Sequence, residues 1–247
     1  MKIACIIPAR LGSYRFNDKP LEKICGKPMI EHVYKRAKMS DLLSEVYVAT
    51  PNVEIKNVVE GFGGVAIMTS DSARRASDRV AEAARDIDAD IIIDLQGDEP
   101  LVNPDMISLS VQPMMEDKSV ECVCLARKVD HEAAKDRNDV KVAFDKNNDA
   151  LFFSREPIPS MWLGDKQFPY YVTVCVMPYT KKSLEKYASL ESTPLEIIES
   201  IDMFRFLENG YRIRIVESPY ETYSVDVPED VQKVERVMSE DKLWLKY

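Results

Sequence analysis

The chain has 247 residues, of which 45% are hydrophobic and 30% are charged. This length is enough to bury a sizeable core, as one large domain or as one domain with an appendage. The formal net charge of −9 argues against broad binding of nucleic acid, which requires a basic face. No apolar run reaches the roughly 18 residues of a membrane span, and the first residues lack the apolar core and cleavage site of a signal peptide. We therefore expect a cytoplasmic protein without nucleic-acid or membrane partners.

The cysteines and histidines exclude several kinds of chemistry. Five cysteines occur without a C-x-x-C pair or a matching histidine spacing, which favours buried thiols in a reducing compartment over redox or metal roles: Cys5, Cys25, Cys122, Cys124 and Cys175. The only histidines are His32, inside an apolar-periodic helix, and His131, in a charged connecting segment. A histidine-centred triad or a zinc site is therefore not expected, and carboxylates must bind any metal.

The first part of the chain alternates strand-like and helical patterns. In chain order, the predicted elements are a strand over 3–7, a helix over 28–38, a strand over 46–50, a helix over 55–61, a strand over 65–68, a helix after Ser77 and a strand over 90–96. That last strand is nearly all apolar, as in a parallel sheet covered on both faces. Repeated β-α-β units predict an α/β fold with a Rossmann-like, doubly wound, mostly parallel sheet.

Beyond residue 115 the pattern changes to a mixed α+β insertion. The predicted strands cover 120–125, 140–144, 150–154, 171–179 and 211–216, and the predicted helices cover 181–187, 194–208 and a segment that Pro228 opens. Residues 146–149 join two of these strands as a hairpin turn, because Asn and Asp tolerate left-handed backbone. We read 1–247 as a single domain, with a nucleotide-binding half over 1–115 and an acceptor-binding and dimerisation half over 116–247.

A cation-rich loop follows the first strand. It contains Arg10, Arg15 and Lys19 together with Pro, Gly and Ser residues. Ligands of open α/β sheets bind beyond the carboxyl ends of the strands, where loop amides and helix N-termini favour anions. The loop therefore predicts a polyphosphate site, although a solvated surface loop has the same composition.

Two acidic segments are candidates for a metal site. Gln96-Gly97-Asp98-Glu99-Pro100 ends the most apolar strand, where a carboxylate facing the cationic loop could hold Mg²⁺ and thereby phosphate oxygens. A second carboxylate, Asp226, lies two residues before Pro228. Asp226 could also be a helix cap, since proline favours the first helical turn and acidic residues suit its positive end.

Together these segments resemble the CMP-Kdo synthetases, the 3-deoxy-manno-octulosonate (Kdo) cytidylyltransferases of lipopolysaccharide biosynthesis, over nearly the whole chain. The segments that carry the resemblance are Ile7-Pro8-Ala9-Arg10, Arg15, Lys19-Pro20-Leu21, Gly26-Lys27-Pro28-Met29-Ile30, Gln96 to Pro100, Phe153-Ser154-Arg155, Pro194-Leu195-Glu196 and Val225 to Asp230. The resemblance implies a fold of the nucleotide-diphospho-sugar transferase type and a homodimer. It also implies a reaction in which CTP and a sugar acid give a CMP-sugar and pyrophosphate.

The resemblance also implies roles for individual residues. Arg10, Arg15 and Lys19 would contact the CTP phosphates, and Gln96 would help to hold the nucleotide. The other implied CTP contacts are Ala9, Gly12, Ser13, Ser77 and Arg79. Asp98 and Asp226 would bind Mg²⁺ and, with Arg10 and Lys19, form the catalytic group. The implied acceptor contacts are Arg155, Thr173, Tyr179, Glu196, Asp202 and Met203.

Several positions depart from the family pattern. Residues 73–79 read Ala-Arg-Arg-Ala-Ser-Asp-Arg where the family has His-Gln-Ser-Gly-Thr-Glu-Arg, which adds Arg74 and Arg75 and leaves Ser77 able to cap the next helix. The acceptor strand carries Thr173, Cys175 and Met177 in place of His, Gly and Tyr, and Asp202-Met203 replaces Glu-Gln. These changes remove hydrogen-bonding capacity that a hydroxyl-rich acceptor would use.

The departures leave alternatives open. An altered acidic acceptor, such as an amino derivative of Kdo, another 2-keto sugar acid or a phosphonate, is one hypothesis, and sequence drift with unchanged use of Kdo is another. Methionines at these positions could also be packed in the core. A nucleotidyltransferase with another nucleotide or a non-sugar acid, and a nucleotide-binding module without activity, are further readings. Retention of both Asp98 and Asp226 argues against the last.

Overall fold

A computed structural model describes residues 1–12, 16–162, 164, 169–174 and 176–247. Among these residues the strands are β1 (Ile3–Pro8), β2 (Lys23–Ile24), β3 (Lys27–Pro28), β4 (Glu45–Thr50), β5 (Ala66–Met68), β6 (Ile91–Leu95), β7 (Val123–Val129), β8 (Lys141–Phe144), β9 (Ala150–Ser154), β10 (Tyr170–Val174), β11 (Val176–Thr180) and β12 (Arg214–Glu217). The α-helices are α1 (Met29–Ala37), α2 (Val53–Gly61), α3 (Ala76–Ala83), α4 (Pro104–Glu116), α5 (Lys181–Ser189), α6 (Pro194–Glu199), α7 (Phe204–Glu208) and α8 (Pro228–Glu240). Short 3₁₀ turns cover Lys19–Leu21, Ala84–Asp86, Ala133–Lys135 and Trp244–Lys246.

The chain divides into two compact units. The first contains Met1–Ser108 and Thr222–Tyr247, and the second contains Leu109–Glu221. The predicted halves, 1–115 and 116–247, differ from this division chiefly at the end of the chain, which returns to the first unit. The physical reason is apolar burial, because Val225, Val234 and Met238 share one buried cluster with Ile24 and Met29.

The first unit is built on parallel strands. β6, β1, β4 and β5 lie side by side in this order and run parallel. Every residue of β6 is buried, as is every residue of β1 except Pro8, the pattern of strands covered on both faces. The predicted α/β class with a mostly parallel sheet is confirmed. Since β1 and β6 are parallel neighbours, their carboxyl ends meet at the same edge of the sheet.

The second unit contains a mixed sheet with the order β12, β7, β10, β8, β9. β12 runs parallel to β7, and the other pairs are antiparallel. The predicted turn between β8 and β9 is confirmed, because Asn148 has a φ of +62° and the Asp145 amide donates to the Asp149 carbonyl over 2.9 Å. The mixed insertion is therefore also as predicted.

Apart from the two-residue strands β2 and β3, which were not predicted, three elements differ from the sequence prediction. The helix α4 was not predicted, although Asn103, whose side chain accepts from the Asp105 amide at 2.9 Å, and Pro104 form a typical helix start. The predicted helix over 194–208 is two helices, because Ser200 ends α6 with a φ of +55°. The predicted strand over 171–179 is seen as β10 and β11, and Cys175 between them lies outside the described residues.

The described cysteines are not in disulfides, and three of them, Cys5, Cys122 and Cys124, are buried as expected. Burial raises the pKa of Cys124 to about 12, which disfavours the reactive thiolate. Cys25 differs from the prediction, since it is partly exposed in a turn. None of the helices among the described residues has the length and apolar character required to cross a bilayer.

Candidate active site

The ends of β1 and β6 lie against each other at the predicted phosphate loop. A Cβ atom on Gly97 would lie only 3.0 Å from the Pro8 carbonyl oxygen, so glycine permits the turn after β6 to approach the loop after β1. Ala9 is buried and Arg10 is exposed in this loop. Ser13 and Arg15, two of the predicted CTP contacts, lie outside the described residues.

Backbone hydrogen bonds and one side chain hold the described part of the loop. The Ala9 amide donates to the Ala49 carbonyl at 2.9 Å, and the Gly12 amide to the Asn17 carbonyl at 3.0 Å. The Leu11 amide donates to Asn52 Oδ1 at 3.0 Å. Asn52 is the N-cap residue of α2 but makes no side-chain bond to its own helix. Sequence reasoning missed this role, since asparagine at that place signals only a cap.

The two carboxylates predicted to bind metal meet at Lys19. The Lys19 ammonium nitrogen lies 2.8 Å from Asp98 Oδ2 and 3.7 Å from Asp226 Oδ1. The Val225 amide also donates to the Asp98 carbonyl at 3.0 Å, which joins the segment before α8 to the turn after β6. Residues from three distant parts of the sequence thus form one charged cluster at the carboxyl end of the sheet.

The capping bonds at the start of α8 are made by Asp230. Its Oδ2 accepts from the amides of Asp226 and Val227 at 2.8 and 3.0 Å, and Val227 is the N-cap residue. The Asp226 carboxylate instead extends towards Lys19. The geometry therefore favours the charged cluster over helix capping as the role of the Asp226 side chain.

The donor set fits Mg²⁺ in a nucleotide site. Mg²⁺ in such sites takes one or two carboxylates and completes its coordination with substrate phosphates and water. Asp98 and Asp226 supply that number of carboxylates beside the predicted phosphate loop. Among the described residues, no group of three or more acidic, histidine or cysteine side chains could hold a metal by itself, so an ion here would depend on oxygens from the substrate.

Arg79 contributes a second cation near the loop. Its Nη1 donates to Thr69 Oγ1 at 2.6 Å and to the Ser70 carbonyl at 3.2 Å, which fixes the segment before α3. Burial lowers the pKa of Arg79, and the nearby positive charge of Arg10 lowers it further. A phosphate placed between these two guanidinium groups would relieve their repulsion.

Ser77 does not cap α3, contrary to the prediction. Arg75 is the N-cap residue, and its amide donates to Asp78 Oδ2 at 3.2 Å. The Ser77 hydroxyl is buried and donates to Asp94 Oδ2 at 3.1 Å. Gln96 Nε2 donates to the other oxygen of Asp94 at 2.8 Å. Sequence reasoning included Asp94 only as part of a strand, because nothing local marks it as the partner of two predicted nucleotide contacts.

The predicted acceptor contacts lie in the second unit, where Arg155 is held by main-chain oxygens. Its Nε donates to the Glu199 carbonyl at 2.8 Å, and its Nη2 to the Ser200 carbonyl at 3.1 Å. Its Nη1 donates to the carbonyls of Arg137 and Asn138 at 2.9 and 3.3 Å. The guanidinium group therefore binds the end of α6, which explains why the helix stops there.

Glu196 is also part of an internal network. Its carboxylate is fully buried and forms a two-point ion pair with Arg205, with distances of 3.0 Å to Nε and 2.6 Å to Nη2. The Thr193 amide adds a third hydrogen bond at 3.2 Å. The Arg205 guanidinium carbon lies 4.3 Å from the centroid of the Tyr187 ring. In this structure Glu196 joins α6 to α7.

Tyr179 and Met203 pack in the interior of the second unit. Tyr179 is fully buried, and its ring contacts those of Tyr187 and Phe206. The Tyr179 hydroxyl lies 3.9 Å from the Met203 sulfur. Met203 is therefore explained by core packing, the alternative considered for it above. Thr173 and Asp202 are partly exposed, and the acceptor roles of all these residues stay predictions.

Comparison with known proteins points to the same kind of nucleotide site as the geometry described above. The profile of the cytidylyltransferase family matches residues 4–237. A 3-deoxy-manno-octulosonate cytidylyltransferase of Geobacter metallireducens is 42% identical over 251 residues, covering 97% of this chain and 98% of the relative. An 8-amino-3,8-dideoxy-manno-octulosonate cytidylyltransferase of Shewanella pealeana is 40% identical over 246 residues, covering 98% of this chain and 100% of the relative.

Solved structures show the same fold. A CMP:2-keto-3-deoxy-manno-octonic acid synthetase complexed with CTP superposes with a TM-score of 0.91 at 36% identity, covering 97% of this chain and 99% of the other. A cytidylyltransferase of Leptospira borgpetersenii superposes with a TM-score of 0.65 at 19% identity, covering 98% of this chain and 88% of the other, and supports the fold alone. The matched profile and the relatives of similar length show that the chain belongs to the cytidylyltransferase family.

Proposed function

We propose that the chain transfers CMP from CTP to a 3-deoxy-2-keto sugar acid of the Kdo type and releases pyrophosphate. The observation that carries this proposal is the cluster of Lys19, Asp98 and Asp226 beside the loop after β1. It combines a cation for the triphosphate with two hard oxygen ligands for Mg²⁺. Relatives that cover nearly the whole chain carry names with this activity.

The residues of the first unit would act by positioning and charge neutralisation. Arg10, Lys19 and Arg79 would bind the phosphates, with Ser13 and Arg15 as further predicted contacts. The anomeric hydroxyl of the acceptor attacks the α-phosphorus, its oxygen forms the new P–O bond, and the bond to pyrophosphate breaks. Cations that contact the departing pyrophosphate stabilise the negative charge it gains. No covalent intermediate with the protein is required.

Mg²⁺ is proposed as the cofactor of this reaction. Asp98 and Asp226 would hold it, and when bound it would supply charge neutralisation at the phosphate oxygens. The remaining requirement on the protein is to keep the nucleotide and the acceptor in line for attack.

The acceptor is proposed to be Kdo or its 8-amino derivative. Relatives of both names are about equally similar to this chain, at 42% and 40% identity. Core packing explains Met203, whereas Thr173, Met177 and Asp202 are the described departures that still bear on acceptor choice. If those side chains contact the acceptor, we expect an altered acceptor specificity. If they do not, we expect the ordinary preference for Kdo.

A pyrophosphate-release assay tests the function. The purified chain is incubated with Mg²⁺, CTP and one acid at a time: Kdo, 8-amino-Kdo, another 2-keto sugar acid or a phosphonate. We expect release with CTP and a Kdo-type acid, and strongly reduced release with D98N. The ratio of kcat/KM values for Kdo and 8-amino-Kdo then identifies the preferred acceptor.

Two outcomes would contradict the proposal. CTP binding by calorimetry without turnover on any acid would favour a nucleotide-binding module. Faster release from another nucleoside triphosphate than from CTP would favour a different nucleotidyltransferase.

We also propose a cytoplasmic homodimer. The resemblance implies the dimer, and the second unit exposes large apolar side chains at Leu151, Ile197 and Ile198. The described cysteines are not in disulfides, which suits a reducing compartment. Light scattering on the purified protein measures the oligomeric state, and the mass of a monomer at micromolar concentration would exclude the dimer.

A further inference from the structure

Arg36 is a cation buried inside the first unit. It lies in the last turn of α1, and its side chain is only 1% exposed. An arginine at the end of a helix can interact with the helix dipole from the surface, where water solvates its charge. A buried guanidinium group requires hydrogen bonds that replace this water, whereas an aliphatic side chain would fill the same space without that cost. The buried charge therefore indicates a role for its directed contacts.

Some of these contacts reach the residues that follow α8. Nη2 of Arg36 forms an ion pair with Asp241, the residue directly after α8. Nε donates to the Tyr247 hydroxyl at 3.0 Å. That hydroxyl lies 3.0 Å from His32 Nδ1, and the Ile24 carbonyl lies 2.8 Å from Nε2 of the same ring. In the neutral ring Nε2 carries the hydrogen, so the hydroxyl accepts from Arg36 and donates to His32. The residues after α8 are thus fixed to α1.

The same guanidinium group reaches the turn after Asp98. Nη1 of Arg36 lies 3.5 Å from the carbonyl oxygens of both Leu101 and Val102. The Val102 amide donates to the Glu99 carbonyl at 3.0 Å, which closes the turn next to Asp98. Because a guanidinium group is planar, its N–H groups point in fixed directions. Arg36 therefore sets the position of this turn relative to the residues after α8.

These two anchored segments carry the two predicted metal ligands. Asp98 lies three residues before Leu101, and Asp226 directly precedes the N-cap residue of α8. α8 has 13 residues, so it acts as a rigid connection of roughly 20 Å between Asp226 and Asp241. At the near end, the Val225 amide donates to the Asp98 carbonyl at 3.0 Å. The apolar cluster that packs α8 against β2 is not directional, so polar contacts at both ends are needed to define the position of the helix.

We propose that Arg36 is a positioning residue of the metal site, which holds the turn after Asp98 and the far end of α8 so that Asp98 and Asp226 can bind one Mg²⁺ together. The proposal rests on the proposed function, because the metal role of the two carboxylates belongs to it. Arg36 contacts neither carboxylate and acts through the two segments that carry them.

The test compares R36M, R36K, D241N and Y247F. Methionine fills much of the space of arginine and removes its polar contacts, whereas lysine keeps the charge but not the planar group. D241N removes the charge of the partner, and Y247F removes only the hydroxyl, so these two variants carry the test if R36M does not fold. I215A is the matched control for stability, because Ile215 is 3% exposed in the core of the second unit and its truncation creates a cavity there.

Two measurements report on the site apart from turnover. Electron paramagnetic resonance measures free Mn²⁺ with the protein alone and with CTP, against a blank of CTP without protein, and D226N provides the reference for a lost ligand. Hydrogen exchange of the Val225 amide, followed by nuclear magnetic resonance, reports on its bond to the Asp98 carbonyl. Thermal unfolding of every variant gives the loss of stability with which both results are compared.

We expect R36M to weaken Mn²⁺ binding by about threefold or more, less than the roughly 10- to 100-fold loss typical for residues bonded directly to a metal ligand. R36K, D241N and Y247F should give smaller losses in the same direction. Exchange of the Val225 amide should increase more in R36M than in I215A, and the apparent KM for Mg²⁺ should rise while the acceptor KM stays nearly unchanged.

A purely structural role would make R36M resemble I215A, with a lower unfolding temperature and unchanged Mn²⁺ affinity. That result overturns the proposal. If R36M does not fold, unchanged Mn²⁺ affinity in both D241N and Y247F overturns it instead.

The same measurements separate this proposal from the proposed function. If D226N binds Mn²⁺ as well as the wild type, the proposed metal site fails and the role of Arg36 fails with it. If D226N weakens binding and R36M does not, only the role of Arg36 fails. If no acid yields pyrophosphate but R36M weakens Mn²⁺ binding, the proposed reaction fails and the positioning role of Arg36 is supported.

Discussion

The ammonium nitrogen of Lys19 lies 2.8 Å from Oδ2 of Asp98, and the same nitrogen lies within 3.7 Å of Asp226. The cation assigned to the triphosphate is thus paired with the carboxylates assigned to the metal. A bound triphosphate would offer Lys19 another anionic partner and make both carboxylates available to Mg²⁺. Nucleotide and metal are therefore expected to favour each other's binding.

Removal of the Lys19 charge should tighten metal binding when nucleotide is absent. K19M is expected to increase affinity for Mn²⁺, used as a paramagnetic substitute for Mg²⁺, by about tenfold or more, because a positive charge beside the two carboxylates is lost. It should at the same time weaken CTP binding. Electron paramagnetic resonance of free Mn²⁺ measures the first effect and calorimetry the second. K27M is the matched control, since Lys27 pairs with Glu31 instead. Equal Mn²⁺ affinity in K19M and K27M would disprove that Lys19 competes with the metal ion for the two carboxylates.

Loss of either metal carboxylate should abolish most turnover. D98N and D226N are each expected to lower kcat by about 100-fold or more while the protein stays folded, because each removes an anionic oxygen ligand. Pyrophosphate release across a Mg²⁺ titration, with circular dichroism as the folding control, measures this. Wild-type turnover in one variant would remove that residue from the proposed metal site.

The Glu196 pair should contribute to stability. E196Q removes the charge that the two-point contact sets against the buried Arg205 guanidinium, so we expect it to lower the free energy of unfolding by about 3–5 kcal/mol. Urea denaturation measures the change, and E191Q at an exposed position before α6 is the control. Unchanged stability together with a raised acceptor KM would instead support Glu196 as an acceptor contact.

Stability should depend on pH through His32. Its Nε2 lies 2.8 Å from the Ile24 carbonyl and its Nδ1 lies 3.0 Å from the Tyr247 hydroxyl; because a carbonyl only accepts, Nε2 carries the proton of the neutral ring. Burial lowers the pKa of His32 from its ordinary value of 6.5. The unfolded chain therefore takes up the second ring proton, at Nδ1, more readily than the folded chain. The contribution of His32 to stability is complete above about pH 6.5 and is lost as the pH falls through the lowered value.

Urea denaturation between pH 8 and pH 5 measures this dependence. In H32Q, the part of the slope of unfolding free energy against pH that His32 causes below pH 6.5 should disappear. H131Q should keep this slope, because His131 lies in a partly exposed turn. Identical slopes in wild type and H32Q would contradict the assignment.

Local signals in the sequence correctly identified most of the secondary structure. The apolar run of β1 and the nearly continuous one of β6 favour burial on both faces, and the spacing of Val80, Ala83 and Ala84 favours one buried helical face. These elements therefore follow from short stretches alone. The same reasoning does not extend to Ser200. Its left-handed backbone and the contacts of Arg155 with the Glu199 and Ser200 carbonyls end α6 within what looks like one continuous helix.

The sequence by itself determined the fold class, the cationic loop, and the two acidic segments of the site, because each depends on residues that are neighbours in the chain. Only the tertiary structure decided which side chains meet. Asp98 and Asp226 come together at Lys19, Asp94 joins Ser77 to Gln96, and Arg155 and Glu196 are committed to contacts within their own unit. Hydrogen bonds and ion pairs depend on distances of a few ångströms between residues that can be far apart in sequence, and packing of the buried core sets those distances.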